Sequence, residues 1–133
     1  MTQSLGAQLS TVTLYERLGG AGGIRRIVDG AIDAHMRNPV IQHRFLPYED
    51  RPEYVEEVKQ HTCDFFAAGS DGPDRYRGRS MTETHRGMDI SAREYEAAAD
   101  DILTTMAQLG YDGDTRAEVG EILGSLKEEI IHV

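Results

Sequence analysis

The chain has 133 residues and a mass of 14.8 kDa, which is the usual size of a single domain with one hydrophobic core. The chain contains 14 Lys and Arg residues and 23 Asp and Glu residues, which gives a net charge of −9. This charge argues against binding to nucleic acid or to anionic membranes. No apolar run approaches the roughly 20 residues that a membrane helix needs. The composition predicts a soluble globular domain with neither a nucleic-acid nor a membrane partner.

The beginning of the chain lacks the basic start and the long apolar stretch of a secretory signal. We interpret residues 1–12 as a loose extension that precedes a single domain at 13–133. Cys63 is the only cysteine, which excludes an internal disulfide, a cysteine-rich metal site and a CxxCH haem attachment. We therefore expect a cytoplasmic protein.

Every long segment has helical periodicity and none alternates like a β-strand, so the predicted fold class is all-α. The capping-box spacing of Thr13–Glu16 predicts a short first helix that Gly19-Gly20 ends. A second helix is expected after Gly22-Gly23, with an apolar stripe that stops at Asn38-Pro39.

The middle of the chain predicts one corner, one long helix and one polar loop. Pro47 and Pro52 bracket an acidic loop, which indicates a corner and no long helix there. The third helix is predicted over Glu53–Ala68, because its apolar residues recur at helical spacing and a Gly-rich turn follows. Residues 74–90 are polar and are expected to form a loop that carries one short helix.

Two capping boxes predict the last two helices. Ser91–Glu94 opens a helix that Gly110 ends, and Thr115–Glu118 has the same spacing before an apolar stripe that runs to Ile130. These are the last two long helices of the predicted all-α domain.

Most of the groups that could carry chemistry have an ordinary explanation. His43 and His132 are interpreted as surface residues without a role. His35 lies near an apolar stripe and is interpreted as a core histidine with a satisfied ring proton. Cys63 has no base beside it, which favours a small half-buried thiol over a nucleophile.

His61 and His85 are the two histidines with a candidate ligand role. His61 lies at the edge of an apolar helix face, but Glu57 precedes it by four residues, so a surface Glu–His pair is equally open. His85 follows Met81 by four residues and would point with it on a short helix, although spacing alone favours a surface position. The spacing of the carboxylates and histidines excludes a di-iron carboxylate bundle, and no nucleotide-binding motif occurs in its required context.

A series of motifs in chain order resembles the group I truncated haemoglobins over roughly residues 13–131. The most specific part is the run from Gly72 to Ile90, where several unusual residue types fall at the family's spacing at once. The motifs are Leu14-Tyr15-Glu16-Arg17-Leu18-Gly19-Gly20, Phe45, Phe65-Phe66-Ala67-Ala68, Gly72-Pro73, Tyr76-x-Gly78-Arg79-x-Met81-x-x-x-His85 and Gly87-x-x-Ile90.

The resemblance implies a shortened globin fold, with two helices packed over two, around a non-covalently bound haem b. It implies that His85 is the proximal iron ligand, with its other ring N–H donated to a carbonyl such as that of Met81. Tyr76 and Arg79 are expected near the acidic edge of the haem, although either is compatible with an ordinary loop role. Phe45 is expected to press on the haem face, and the other implied apolar wall residues are Val58, Phe66, Met81, Met88, Ile90 and Tyr95.

The chain departs from the family on the side of the haem where the gas would bind. The family's helix-two Phe-Tyr pair falls on Ala31 and Ile32, so the tyrosine that usually hydrogen-bonds bound oxygen is missing. The family's distal glutamine falls on Thr62, and the residue that opens the distal helix face is Val58. Each missing neutral donor is worth about 1 kcal/mol, so we expect weak discrimination in favour of oxygen unless another donor serves, and His61 is the candidate for that donor.

His61 matches a position where some family members place a second axial histidine. The resemblance therefore implies that His61 is a second metal ligand, which would make the iron six-coordinate with His85. The loop between Phe45 and the distal helix is longer than usual for the family, which leaves His43 or a water as an alternative near the iron.

The resulting hypothesis is a haem-b protein that reversibly binds a diatomic gas, O2, NO or CO, and is more a ligand-binding protein than an enzyme. An electron-donating reductase is a possible partner, and a monomer or weak dimer is expected. Three alternatives remain open: a nitric-oxide dioxygenase or peroxidase, an electron-transfer haem protein, and a globin-derived interaction domain that has lost haem.

Overall fold

The computed structural model describes residues 12–73, 76 and 78–133, so the predicted extension at 1–12 lies outside the described residues except for Val12. Helices dominate this part of the chain, and its β pairing is confined to one isolated parallel bridge between Ile90 and Ile131. The helices are α1 (Leu14–Arg17), α2 (Gly20–Arg37), α3 (Pro52–Gly69), α4 (Met81–His85), α5 (Ala92–Gln108), α6 (Gly113–Ser125) and α7 (Lys127–Ile130), with 3-10 turns at Gln42–Arg44 and Leu46–Tyr48.

The all-α prediction is confirmed, and the helices form the expected arrangement of two over two. Helix α2 packs against both α3 and α5, and α5 packs against α6. The main core is built from the apolar stripe of α2 and from residues of α1, α5 and α6 that meet it. Its buried members are Leu14, Leu18, Ile24, Ile27, Val28, Ile32, Met106 and Val119.

Two glycines let α2 approach its neighbours closely. A Cβ atom on Gly23 would lie 1.9 Å from the carbonyl oxygen of Leu18, the residue that ends α1. A Cβ atom on Gly30 would lie 2.6 Å from Cγ2 of Thr105 on α5. Both distances are shorter than van der Waals contact, so the position of α2 depends on the absence of these side chains.

Helix α2 begins earlier than predicted. Gly19 adopts a left-handed conformation with φ of +94° and serves as the N-cap, so the helix starts at Gly20 and includes Gly22-Gly23. The second glycine pair therefore lies within the helix, where a glycine serves close packing.

The predicted start and end of the last long helix are both wrong. Helix α6 begins at Gly113, and the Asp112 carboxylate accepts the Thr115 N–H at 2.7 Å. Thr115 lies inside the helix and is 2% exposed. Asp112 is itself a favourable N-cap three residues earlier, and its carboxylate satisfies the N–H group of Thr115, which then lies inside the helix. The helix also stops at Ser125, and α7 follows as a separate turn.

Helix α3 confirms the predicted third helix but contains no buried residue. Val58, Thr62, Phe65 and Phe66 on its apolar face are all half-buried. They border a cavity between α3 and the rest of the domain, which explains why an apolar face is not fully packed.

Gly30→Ala is expected to destabilise the fold. The clash with Thr105 should cost about 1–3 kcal/mol, which outweighs the gain of about 1 kcal/mol from a better helix former. Gly22→Ala, in the same helix with no atom within 4 Å, should be neutral or stabilising. Urea unfolding of both variants tests this, and Thr105→Ser, which removes the clashing methyl group, should rescue Gly30→Ala. Equal stability of the two alanine variants would contradict the packing argument.

Candidate functional site

A cavity of about 1040 Å³ lies between α2, α3, the α4 region and α5. Its size is at the upper end of the roughly 300–1,000 Å³ that is usual for a ligand pocket, and most of its wall is apolar. The structure brings all the sequence-predicted site residues to this wall: Ile32, Phe45, Val58, His61, Thr62, Phe66, Tyr76, Arg79, Met81, His85, Met88, Ile90 and Tyr95.

The short helix α4 presents His85 to the cavity. Its N-terminus is a complete capping box, in which Ser80 and Glu83 exchange two hydrogen bonds of 3.1 Å. The Nδ1 atom of His85 lies 2.8 Å from the carbonyl oxygen of Met81. A carbonyl oxygen can only accept a hydrogen bond, so Nδ1 carries a proton, and in the neutral imidazole Nε2 keeps its lone pair. The neutral form of His85 therefore offers an unprotonated imidazole nitrogen on the wall of an apolar cavity.

His61 lies on the cavity wall but its side chain is 60% exposed. Its Nε2 atom is 3.9 Å from Oε1 of Glu57, one turn earlier on α3. This separation is too long for a hydrogen bond, so the Glu–His pair is a loose ion pair at most. The side chain can adopt other rotamers without breaking a hydrogen bond to Glu57.

The polar group at position 62 is already used within its own helix. The hydroxyl of Thr62 donates to the carbonyl oxygen of Val58 at 2.8 Å. A hydroxyl has one proton, so Thr62 has none left to donate into the cavity. Ile32 is buried and Val58 is apolar, so these three positions present no hydrogen-bond donor to the cavity.

His35 is a buried, paired histidine, as predicted, and it also lies on the cavity wall. Its Nδ1 atom is 2.8 Å from Asp101, and the same carboxylate accepts Nδ2–H bonds from Asn38 at 3.1 and 3.2 Å. The His35 ring packs at a tilt on Phe45, with 5.4 Å between ring centres. Burial lowers the pKa of His35 below its ordinary value, although Asp101 opposes this effect.

An ion pair ties the corner after α2 to the start of α5 at the edge of the cavity. Arg44 donates two hydrogen bonds to the Glu94 carboxylate, which lowers the pKa of Glu94 to about 2. His43 is exposed, lies 3.5 Å from Glu94 and is not on the cavity wall. The structure thus gives no support to His43 as a group inside the cavity.

Sequence reasoning missed an aromatic pair at the wall. The rings of Tyr48 and Tyr54 are stacked 4.4 Å apart, and the guanidinium of Arg51 lies 5.1 Å from the Tyr54 ring centre. Tyr54 precedes Val58 by four residues, so its helical spacing was a usable signal for the cavity face of α3. The position of Tyr48 follows from the shape of the corner, which the sequence pattern does not specify.

Tyr76 and Arg79 lie on the segment that leads into α4. Tyr76 is half-buried and packs edge-on against Phe65, with ring centres 5.2 Å apart. Arg79 is exposed. The pair combines a fixed aromatic ring with a solvent-facing guanidinium at the cavity.

The remaining candidates lie away from the cavity. Cys63 is half-buried and is not part of the wall, and burial raises the pKa of its thiol. A raised pKa keeps the thiol protonated, which agrees with the prediction that it is not a nucleophile. His132 is exposed and lies 2.7 Å from Asp89.

The sequence model of the bacterial-like globin family matches residues 13–132. The chain belongs to the bacterial-like globin family. This globin is 28% identical over 117 residues to the group 1 truncated haemoglobin of Synechocystis sp., a match that covers 85% of this chain and 90% of the relative. It is 24% identical over 119 residues to the group 1 truncated haemoglobin of Tetrahymena pyriformis, covering 90% and 94%. The resemblance to truncated haemoglobins is confirmed.

Solved structures agree with the fold of this globin. The Fe(III) form of the Tetrahymena pyriformis truncated haemoglobin superposes with a TM-score of 0.83 at 21% identity, covering 92% of this chain and all of the other. The 2/2 haemoglobin of Synechococcus sp. PCC 7002, in the cyanomet state with covalently attached haem, gives a TM-score of 0.78 at 26% identity, covering 89% and 95%.

None of the helices in the described part of this globin has the length and hydropathy to cross a lipid bilayer.

The stability of this globin should fall in mild acid because of His35. The pKa of His35 is lowered in the folded state, so the imidazole takes up a proton more readily in the unfolded chain. The free energy of unfolding is expected to decrease from pH about 7.5 to about 5.5, on either side of the unfolded imidazole pKa of about 6.5. Urea titrations measure this slope, which should be shallower in the double variant His35→Phe/Asp101→Asn. An unchanged slope in that variant would rule His35 out as the cause.

Proposed function

We propose that this globin binds haem b non-covalently in the cavity, with His85 as the proximal iron ligand, and reversibly binds a diatomic gas such as O2, NO or CO. The observation that carries the proposal is the hydrogen bond between Nδ1 of His85 and the Met81 carbonyl, which leaves Nε2 free to bind a metal. Haem, when bound, would supply an iron atom with a coordination position for the gas.

The residues at the wall fit a flat apolar cofactor with an acidic edge. Phe45, Phe66 and Met88 contribute apolar surface that would exclude water from its faces. Arg79 and Tyr76 lie on the same wall and would bind its carboxylates, since a guanidinium fork suits a carboxylate. The free imidazole nitrogen and the apolar walls belong to one cavity, and this combination supports haem over a polar ligand.

Non-covalent attachment is supported by the position of the cysteine. The Synechococcus sp. PCC 7002 structure has covalently attached haem. In this chain the single cysteine, Cys63, does not line the cavity, and no CxxCH motif occurs. Thioether attachment to a cysteine is therefore not available, and the cofactor should be extractable under denaturing conditions.

The gas-binding side of the cavity supports reversible binding with little polar stabilisation. Ile32 and Val58 are apolar, and the Thr62 proton is committed to the Val58 carbonyl. The absence of two neutral donors corresponds to roughly 1 kcal/mol each. This arrangement favours a ligand-binding or sensing role over oxygen-dependent oxidation of nitric oxide, which needs tightly held oxygen.

An electron-transfer role is the second candidate, and the position of His61 favours it. His61 lies on the same cavity wall as His85 without a short hydrogen bond to Glu57. As a second iron ligand, His61 would compete with gas for the metal and would favour electron exchange. This candidate implies a reductase as the partner.

His85→Ala is expected to lose stoichiometric haem after gel filtration and to lose the parent Soret spectrum, because the metal-binding nitrogen is removed. His43→Ala changes an exposed histidine that is not on the cavity wall, so this variant should keep stoichiometric haem and the parent Soret spectrum. The measurement is the absorbance spectrum and the pyridine haemochrome content of each purified variant. The proposal fails if His85→Ala retains haem with the parent spectrum, or if the parent chain takes up none.

His61→Ala decides between the two candidates. If His61 binds iron, the parent ferric protein should show a low-spin bis-histidine spectrum that becomes high-spin in His61→Ala, with faster CO binding after reduction. His43→Ala again serves as the control and should match the parent. A high-spin aquo spectrum in the parent would exclude His61 as a ligand and leave gas binding as the proposed role.

A further inference from the structure

Helix α4, which carries His85, is too short to be stable by itself. It has five residues, whereas isolated helices shorter than about 12–15 residues are marginal in water. The Ser80 capping box fixes its first turn but does not hold its C-terminal end. The direction of the His85 imidazole must therefore depend on contacts from elsewhere in the fold.

The last residues of the chain make these contacts through the backbone. The Gly87 N–H donates to the backbone oxygen of Val133 at 3.1 Å, and the His132 N–H donates to the carbonyl of Ile90 at 2.9 Å. Ile90 and Ile131 also form the isolated parallel β-bridge. The segment that directly follows His85 is thus hydrogen-bonded to residues more than 40 positions later.

A separate apolar cluster joins the same two segments. Ile90, Tyr95 and Ile130 are each 7% exposed and form its centre. The side chains that pack around them are Met81, Leu126 and Ile131. Met81 begins α4 and provides the carbonyl that accepts the His85 Nδ1–H bond. The cluster therefore holds the acceptor of that bond as well as the segment after His85.

We propose that residues 126–133, which we name the C-terminal clasp, position the His85 imidazole, with Ile131 as a positioning residue. The clasp contacts α4 before His85 through Met81 and the chain after His85 through Gly87 and Ile90. Fixing both sides of a five-residue helix fixes the direction of its last side chain. This inference rests on the proposed role of His85 as the iron ligand.

The backbone of the two segments agrees with a specific docked geometry. Gly87, Asp89 and His132 all have positive φ, at 86°, 49° and 57°. A left-handed conformation at a residue other than glycine is unfavourable and persists when surrounding contacts determine it. The two strained non-glycine residues face each other across the clasp, where the Asp89 carboxylate meets Nδ1 of His132 at 2.7 Å.

Ile131→Ala tests the clasp in the purified full chain. Hydrogen exchange should become about tenfold faster or more at the amides of residues 81–90, since the loss of a packed side chain favours local opening. In the ferrous protein, the iron–histidine stretching band in the resonance Raman spectrum should shift or broaden. Ile131→Val should restore both properties towards the parent values.

The control is Ile24→Val, which removes one methylene from the main core, a cluster separate from the one that contains Ile131. This variant should lower global stability. It should not selectively speed up hydrogen exchange at the amides of residues 81–90, and it should not change the iron–histidine band. Unchanged exchange in Ile131→Ala overturns the clasp, and faster exchange with an unchanged band overturns its positioning role. A failure of His85 to bind iron would appear separately, as an iron–histidine band that His85→Ala does not remove or as a parent chain without haem.

Discussion

The hydrogen bond from Nδ1 of His85 to the Met81 carbonyl is the interaction on which the site depends. It fixes the tautomer of a neutral imidazole that could otherwise carry its proton on either nitrogen, and it leaves Nε2 as the nitrogen that would bind a metal. The bond spans one turn of a five-residue helix, so it survives only if that helix survives. The capping box before His85 and the C-terminal clasp after it are the structural supports that make this possible.

Several of the other polar groups near the cavity already have hydrogen-bond partners, and most of the wall is apolar. His35 pairs with Asp101, Thr62 bonds to its own helix, and Arg44 is held by Glu94. A buried polar group that has a hydrogen-bond partner costs the fold little stability. A neutral one without a partner costs about 1–3 kcal/mol. The cavity therefore combines the Nε2 atom of His85 with a mostly apolar wall, on which His61 is a second histidine without a short hydrogen bond.

Local signals predicted much of the fold and the centre of the site. Thr13 and Ser91 act as N-caps at their predicted positions, and Met81 and His85 share the one short helix that was expected within residues 74–90. The prediction failed where several local solutions compete, as for Asp112 and Thr115, because both are good caps. The cavity position of His35 depends on a partner 66 residues away, and the clasp depends on similar long-range contacts, neither of which periodicity encodes.

Long-range 1H–15N NMR of the histidine side chains in the diamagnetic, CO-bound ferrous protein shows which ring nitrogen of His85 binds the metal. We expect the His85 ring to keep a slowly exchanging proton on Nδ1, while Nε2 has no proton and shows the shift of a metal-bound nitrogen. A proton on Nε2 of His85, or the metal-bound signal on another histidine in its place, would show that His85 is not the proximal ligand.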